Sequence, residues 1–480
     1  MMKRVLILVC ATTSVLRLVA QEQTSLPMPT MTFDEALAVA FESNATVQAA
    51  KFGVKASEQE RRAAIGLRLP TIGVSANYTW MGDDMAVDLN GAKNGVVGGV
   101  ESLLPSLDPV LGGILQGVIA PLAEQDWRLV LQKRSFASVG ATVSLPIFTG
   151  GRINVANRAA RIGEKIADSE LSAVRSGLTV QLVERYFGLL LAQHAVEVRR
   201  QVAEGIKQHL ADAVALERNG VIATSERLYA EYKSAEAERD LQRAQLTVHT
   251  AQEALSNTLG GAEVMPVTAM FVLEYPEDVD YFCQLALSKS LVLQQVKLQE
   301  GLAHENLRLQ RADFFPQVAA MGAASLYNWQ VSNILPRWAV GVGANFKIFD
   351  GLTREYRYSA AKQTLRSVES LVAKAESDIV LLVESLHAQM MSRLALLRSL
   401  ESSITFAQEY LRSKRAAFAQ GMSSSSEVID AELNYAKARI ERLEAAYEFD
   451  MALARLLEAS GVGEEFADYI KRTDVCVITF

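Results

Sequence analysis

One register of 201 residues relates two stretches of this chain, and it holds without a gap over more than a hundred residues. Ile147-Phe148-Thr149-Gly150 recurs as Ile348-Phe349-Asp350-Gly351, Ala159-Ala160 as Ala360-Ala361, and Gly220 as Gly421. Glu226 recurs as Glu427, Ala230-Glu231 as Ala431-Glu432, and Gly260 as Gly461. Such a register means that both copies keep every helical turn and every bend, as expected when each must span the same distance. The chain is a duplicated, elongated unit rather than a string of ordinary domains.

A weaker match extends each copy toward its start. Ala40, Arg62 and Pro70 correspond to Ala286, Arg308 and Pro316 at a register of 246. The difference of 45 residues must lie between Pro70 and Phe148, and the Gly/Leu-rich stretch from about 83 to 125 is the expected insert. The unit therefore reads helix, strand, strand, long helix, turn, helix, twice over. The first repeat, 21–263, has helices at about 33–68, 152–218 and 224–259 and strands at about 70–82 and 127–148. The second, 264–463, has helices at about 282–313, 352–418 and 425–460 and strands at about 316–330 and 337–349, leaving a tail at 464–480.

The first twenty residues carry Lys3-Arg4, a broken apolar run and Ala20 before the polar Gln21-Glu22-Gln23, the pattern of a secretory signal cleaved after Ala20. An ordinary N-terminal helix and lipid attachment at Cys10 are the other readings. Formal charge is −7, and loss of Lys3, Arg4 and Arg17 makes it about −10, which disfavours nucleic acid as a partner. No run of eighteen apolar residues follows the leader, so no transmembrane helix is expected. Cys283 and Cys476 allow one disulfide at most and sit in no metal-binding spacing, with two free thiols the simpler reading.

Proline is absent from Ile147 through Pro266's predecessor Met265, and from Arg337 to the end, so long helices are permitted there. Residues 152–218 and 352–418 are rich in Ala, Leu, Glu, Arg and Gln, strong helix formers. Each would be about 100 Å long, which calls for a coiled assembly. The flanking helices are about half that length, so two stacked halves match one long helix. Val428, Ile429, Leu433, Ala436, Ile440 and Leu443 leave both flanks of the last helix apolar, as suits the wall of a tube or an ordinary antiparallel bundle.

The strand segments favour the tube. Trp338, Val340, Val342, Ala344, Phe346 and Ile348 alternate with Ala339, Gly341, Gly343, Asn345 and Lys347, and Ile72, Val74, Ala76, Tyr78 and Trp80 alternate with Thr71, Gly73, Ser75, Asn77 and Thr79. One apolar face, one small polar face, aromatic ends and roughly ten residues fit a strand that crosses a bilayer, and a soluble sandwich would show similar alternation. Four strands cannot close a barrel, whose minimum is about eight, and an open edge is forbidden in lipid, so several chains must share one barrel.

Leu69-Pro70 and Phe315-Pro316 before strands, the Leu145-Pro146-Ile147-Phe148-Thr149-Gly150-Gly151-Arg152 junction, and the repeated Gly-x-x-x-[ST]-[ST]-Glu turn resemble the TolC-like outer-membrane efflux protein family, over about residues 30–463. The resemblance implies an α+β fold: long helices form a trimeric α-barrel tunnel continuous with a twelve-stranded outer-membrane β-barrel, four strands per chain. It implies an outer-membrane location in a Gram-negative bacterium and a passive exit duct for efflux or type I secretion. The partners it implies are a homotrimer, outer-membrane lipid, a periplasmic adaptor and an inner-membrane transporter. By the same resemblance, the periplasmic gate falls at Glu427, Asp430, Glu226 and Ser423. The adaptor-contact turns fall at Gly220, Val221, Ile222, Ala223, Gly421, Met422 and Ser423. Ser423 stands where the type member has a gate-locking arginine, which puts that latch in doubt. Glu427 has a structural reading too, as a carboxylate at a helix start capped by the serines before it.

Nothing in the sequence argues for an enzyme, a cofactor or a bound metal. His194, His209, His249, His304 and His387 are scattered without ligand spacing, and no nucleophile motif or phosphate loop is present. The alternatives are a periplasmic coiled-coil adaptor and a soluble scaffold. The adaptor would carry one hairpin between split lipoyl halves, and this chain has two hairpins.

Overall fold

The computed structural model describes residues 29–332 and 336–478. The leader and Cys10 lie outside them. The chain opens with β1 (Thr30–Met31), α1 (Phe33–Ser43), α2 (Ala45–Gly66) and β2 (Thr71–Trp80). Then β3 (Met85–Asp88), α3 (Asn90–Leu103), α4 (Pro109–Glu124) and β4 (Arg128–Gln132) precede β5 (Ser135–Phe148). α5 (Arg152–Arg218), α6 (Thr224–Thr258), β6 (Met265–Pro266) and β7 (Phe271–Leu273) complete the first pass. The second consists of α7 (Val279–Lys289), α8 (Leu291–Ala312), β8 (Gln317–Trp329), β9 (Trp338–Asn345), α9 (Thr353–Ala419) and α10 (Ser425–Ala459). α11 (Phe466–Ile470) and β10 (Val475–Val477) follow.

Helix lengths repeat to the residue. α5 and α9 have 67 residues each, and α6 and α10 have 35. α2 and α8 have 22, and α1 and α7 have 11. All boundaries of the later pairs differ by 201 and those of the earlier pairs by 246.

The opening segments differ from the single helices expected at 33–68 and 282–313. Each is broken, at Asn44 and at Ser290, and the second begins at Val279. Asn44 is extended (φ −70°, ψ 124°) and its side chain accepts the Thr46 N–H at 2.9 Å, so one residue ends α1 and caps α2. Ser290 takes the same backbone at the equivalent place. The insert is mostly helical, in α3 and α4: Lys93 Nζ donates to the Ala123 and Gln125 carbonyls, both at 3.0 Å, and so closes the free C-terminal end of α4 against α3. The segment expected at 127–148 is two strands, and β9 stops at Asn345 rather than 349. Beyond it the Lys347 and Ile348 carbonyls accept from Arg354 at 2.7 and 2.9 Å, outside any ladder.

The main sheet runs β2-β5-β8-β9 with every neighbour antiparallel. Ile72 lies opposite Val143, Val143 opposite Gly322, and Gly322 opposite Val340, which puts the apolar alternation of all four strands on one face. That face is uncovered: Ile72 is 74% exposed and Val340 77%. The opposite face carries Gly73, Ser75, Asn77, Thr142, Ser144 and Asn345. Among the described residues the outer edges of β2 and β9 pair with nothing.

Below the sheet α5 packs on α2 and α6, α9 packs on α8 and α10, and α5 also meets α8 and α10. One 18-residue window in α9 is apolar enough to cross a bilayer, unlike the expectation, although α9 is flanked by α8 and α10. At mid-height the breaks, β1, β6, β7, α11 and β10 gather into a belt. Its core is aromatic: Phe33 lies 5.5 Å from Tyr186, 5.7 Å from Phe187 and 5.3 Å from Phe466, all fully buried. Each such side chain contributes about 1.5–3 kcal/mol. The Tyr186 hydroxyl donates to the Met31 carbonyl at 2.8 Å and accepts the Val267 and Thr268 N–H groups at 2.9 Å, pinning the belt strands to α5. Cys283 and Cys476 are unbridged.

Tyr186→Phe keeps the ring and removes the acceptor of the Thr268 N–H, while the Val267 N–H keeps its longer bond to the Met31 carbonyl at 3.3 Å. Amide exchange should then quicken most at Thr268, with the local opening free energy reduced by about 1–3 kcal/mol. Unchanged protection there would show that the hydroxyl is not the pin.

Candidate functional site

The two helical hairpins end in turns of the same construction. After α5 the chain enters the left-handed region at Gly220 (φ 72°), with the Val221 N–H donating to the Leu216 carbonyl at 2.9 Å. After α9 it does so at Gly421 (φ 71°), with Met422 donating to Ala417 at 2.9 Å. These are Schellman closures, in which glycine takes the left-handed position without a side-chain penalty. Val221 and Met422 are left exposed at the tips, and Ile222 is half-buried.

The starts of the returning helices differ. Ser424 accepts the Glu427 N–H at 3.3 Å and Glu427 reaches back to the Ser424 N–H at 3.4 Å, a capping box. The Glu427 carboxylate also accepts from the Ser423 hydroxyl and lies 3.3 Å from Lys414 Nζ on α9. Ser423 and then Lys414 hold this carboxyl below its ordinary range. The sign follows: its bonds are intact above about pH 4.5 and fail only as pH falls through the depressed value. Asp430 is exposed one turn further along the same helix. In the first hairpin Tyr229 stands where Asp430 stands in the second.

Glu226 joins the two hairpins. Its carboxylate accepts the Ser425 backbone N–H at 2.8 Å, so an acid from the start of α6 sits on the positive end of α10. The structure thus brings Glu226, Ser423 and Glu427 into one neighbourhood, with Asp430 beside them. Glu226, Ser423 and Glu427, but not Asp430, line a cavity of about 410 Å³ between the tips together with Ile222, Ala223, Phe418 and Gly421.

Five further residues were not read as functional from the sequence: Lys414 on α9, beside Glu427, and Arg415, Glu432, Gly205 and His209. Arg415 on α9 pairs with Glu432 on α10, whose side chain is buried, and Gly205 on α5 makes room for that pair: a Cβ there would lie 3.0 Å from Glu432 Oε1. His209 on α5 packs its ring 4.3 Å from that of Phe418. Arg415, Glu432 and His209 border a second cavity of about 580 Å³ between α5, α9 and α10. One signal was available: opposite charges nearly equidistant from a hairpin turn face each other, as Lys414 and Glu427 do about Gly421. Glu217 and Arg227 do the same about Ile222, at 2.8 Å.

A family model described as outer membrane efflux protein matches residues 36–261 and 282–462. The cobalt-zinc-cadmium resistance protein CzcC of Cupriavidus metallidurans is 22% identical over 313 residues, 65% of this chain and 74% of that one. The outer membrane protein TolC of Vibrio cholerae is 22% identical over 319 residues, 62% of this chain and 71% of that one. Among solved structures, the outer membrane protein VceC from Vibrio cholerae shares the fold at a TM-score of 0.69 and 13% identity, with 89% of this chain and 96% of that one covered.

Replacing Glu226 by Ala should expose the Ser425 amide to exchange and cost roughly 1.5–3 kcal/mol of local stability, the range for a hydrogen bond to a charged group. Exchange at Ser425 that does not change would remove Glu226 as the tie between hairpins.

Proposed function

The chain belongs to the outer membrane efflux protein family, and from that premise we propose how it forms its passage, as the exit duct of a tripartite efflux or type I secretion system in a Gram-negative outer membrane. The observation that carries the reading is the four-stranded sheet with one bare apolar face and two unpaired edges. Lipid satisfies the face, but nothing in lipid can satisfy the edges. Pairing β9 of one copy with β2 of the next closes a barrel of twelve strands from three copies. Exposed apolar residues on the helices support the same assembly: Leu228, Tyr232 and Leu246 on α6, and Leu371, Leu381 and Phe406 on α9, are left for neighbouring copies.

The helices then continue the barrel as a tunnel of about 100 Å. No catalytic step is involved, since energy and cargo selection belong to the inner-membrane transporter. A periplasmic adaptor would join the two, engaging the tips at Gly220 to Ala223 and Gly421 to Ser423. Glu427 and Asp430, repeated three times around the axis, place six carboxylates at the mouth. A narrow ring of that charge favours cations and resists anions. Glu427 serves as cap and as gate charge at once, because its side chain is both hydrogen-bonded to the turn and exposed. Glu226 supplies the tie between hairpins that opening must release.

The detergent-extracted particle should contain three chains by light scattering, and a monomer would sink the barrel assignment. In planar bilayers the Glu427→Ala, Asp430→Ala double variant should lose most of its cation preference and its block by trivalent cations. If both persist, the gate lies elsewhere.

A further inference from the structure

Among the described residues, His209 is the histidine that borders the cavity between α5, α9 and α10 near the tips. It is 7% exposed, its ring lies against Phe418 of α9, and its Nε2 is buried without a hydrogen-bond partner among the described residues. Val428 and Ile429 of α10 and Ile206 and Leu216 of α5 line the cavity beside it. A buried ring nitrogen without a partner is tolerable for a neutral imidazole and costly for an imidazolium.

Charged groups approach from every side. Asp212 stands on α5 itself, Glu226 on α6, Arg415 on α9 and Glu432 on α10. Glu432 is already paired with Arg415. Burial pushes the His209 imidazole below its ordinary value and Arg415 adds to this, against the opposing pull of Asp212 and Glu226. The adjacent cavity of about 580 Å³ gives the ring somewhere to go. Phe418 is a wall of that cavity and also of the one between the tips that holds Glu226 and Glu427. Displacing it disturbs both at once.

We propose that His209 is a proton-operated joint: on acidification of the periplasm its ring leaves the Phe418 contact, loosens α5 from α9 and α10, and favours opening of the tips. The consequence for opening rests on the channel reading above, whereas the loosening itself does not. The sign is fixed by the environment. The packed arrangement disfavours the protonated ring relative to a solvated one, so the contact is at full strength above about pH 6.5 and weakens as pH falls below it. One unit below that value, the loosened-to-packed ratio should rise by up to roughly tenfold per chain, the limit in which only the loosened form takes the proton.

The test compares full-length trimers of the parent, His209→Gln, His209→Phe and Glu432→Gln at pH 7.5 and 5.5. The Glu432 variant is needed because burial raises that carboxyl toward the same window despite Arg415. Amide exchange around Phe418 and Val428, corrected for the intrinsic rate, reads the joint whether or not the trimers conduct, and planar-bilayer open probability reads the gate. The expected result is an acid-induced loss of protection, with a rise of up to about tenfold in opening, in the parent and in Glu432→Gln but in neither His209 variant. A response that survives in both His209 variants, or that disappears with Glu432→Gln alone, overturns the proposal. So does a parent whose protection is the same at both pH values. Conductance absent at every pH alongside an exchange response that follows His209 would leave the joint standing and remove the channel reading instead.

Discussion

An α-helix advances 1.5 Å and turns 100° with each residue, and the architecture depends on two helices that do so without interruption for 67 residues. One residue added within α5 or α9 would rotate every later side chain by more than a quarter of a turn. The stripes that meet the half-helices would then face away from them. This explains why the paired helices agree in length to the residue, while all the difference in length between copies is confined to the segment between Gly66 and Arg152. That segment lies beyond any helix that has to stay in step.

The half-helices need a place to end, and the belt provides it. Asn44 and Ser290 break the opening helices at equivalent points, and Tyr186, on an unbroken helix, holds the neighbouring strands through one hydroxyl. The tips are held differently. There most of the side-chain bonds involve a charged group and lie close to solvent. A rigid middle and a lightly tied end place the low-energy motion at the tips.

Much of this was legible in the chain itself. The 201 register marks the ends of the long hairpins, the alternation in Trp338 to Lys347 marks a two-faced strand, and Ser423-Ser424-Ser425-Ser426-Glu427 announces a capping box. Most of what was missed depended on tertiary partners. Asn44 and Ser290 are the exception, since both are helix-capping residue types and Asn44 makes its capping bond to Thr46, two residues on. The register places the insert at about 83–125 without saying how it folds, and Lys93 and the returning α4 hold its middle helical. The Glu226 bond to Ser425 joins residues 199 apart, and no local pattern encodes it. His209 was set aside as a lone histidine without ligand spacing, and its interest comes from what surrounds it.

The bond from Glu226 to Ser425 is made within one chain. A tie between neighbouring copies would bind all three into one decision, since breaking any would strain the rest. An internal tie imposes no such agreement. In the proposed trimer, this tie by itself lets each copy release singly, so that the mouth widens in steps.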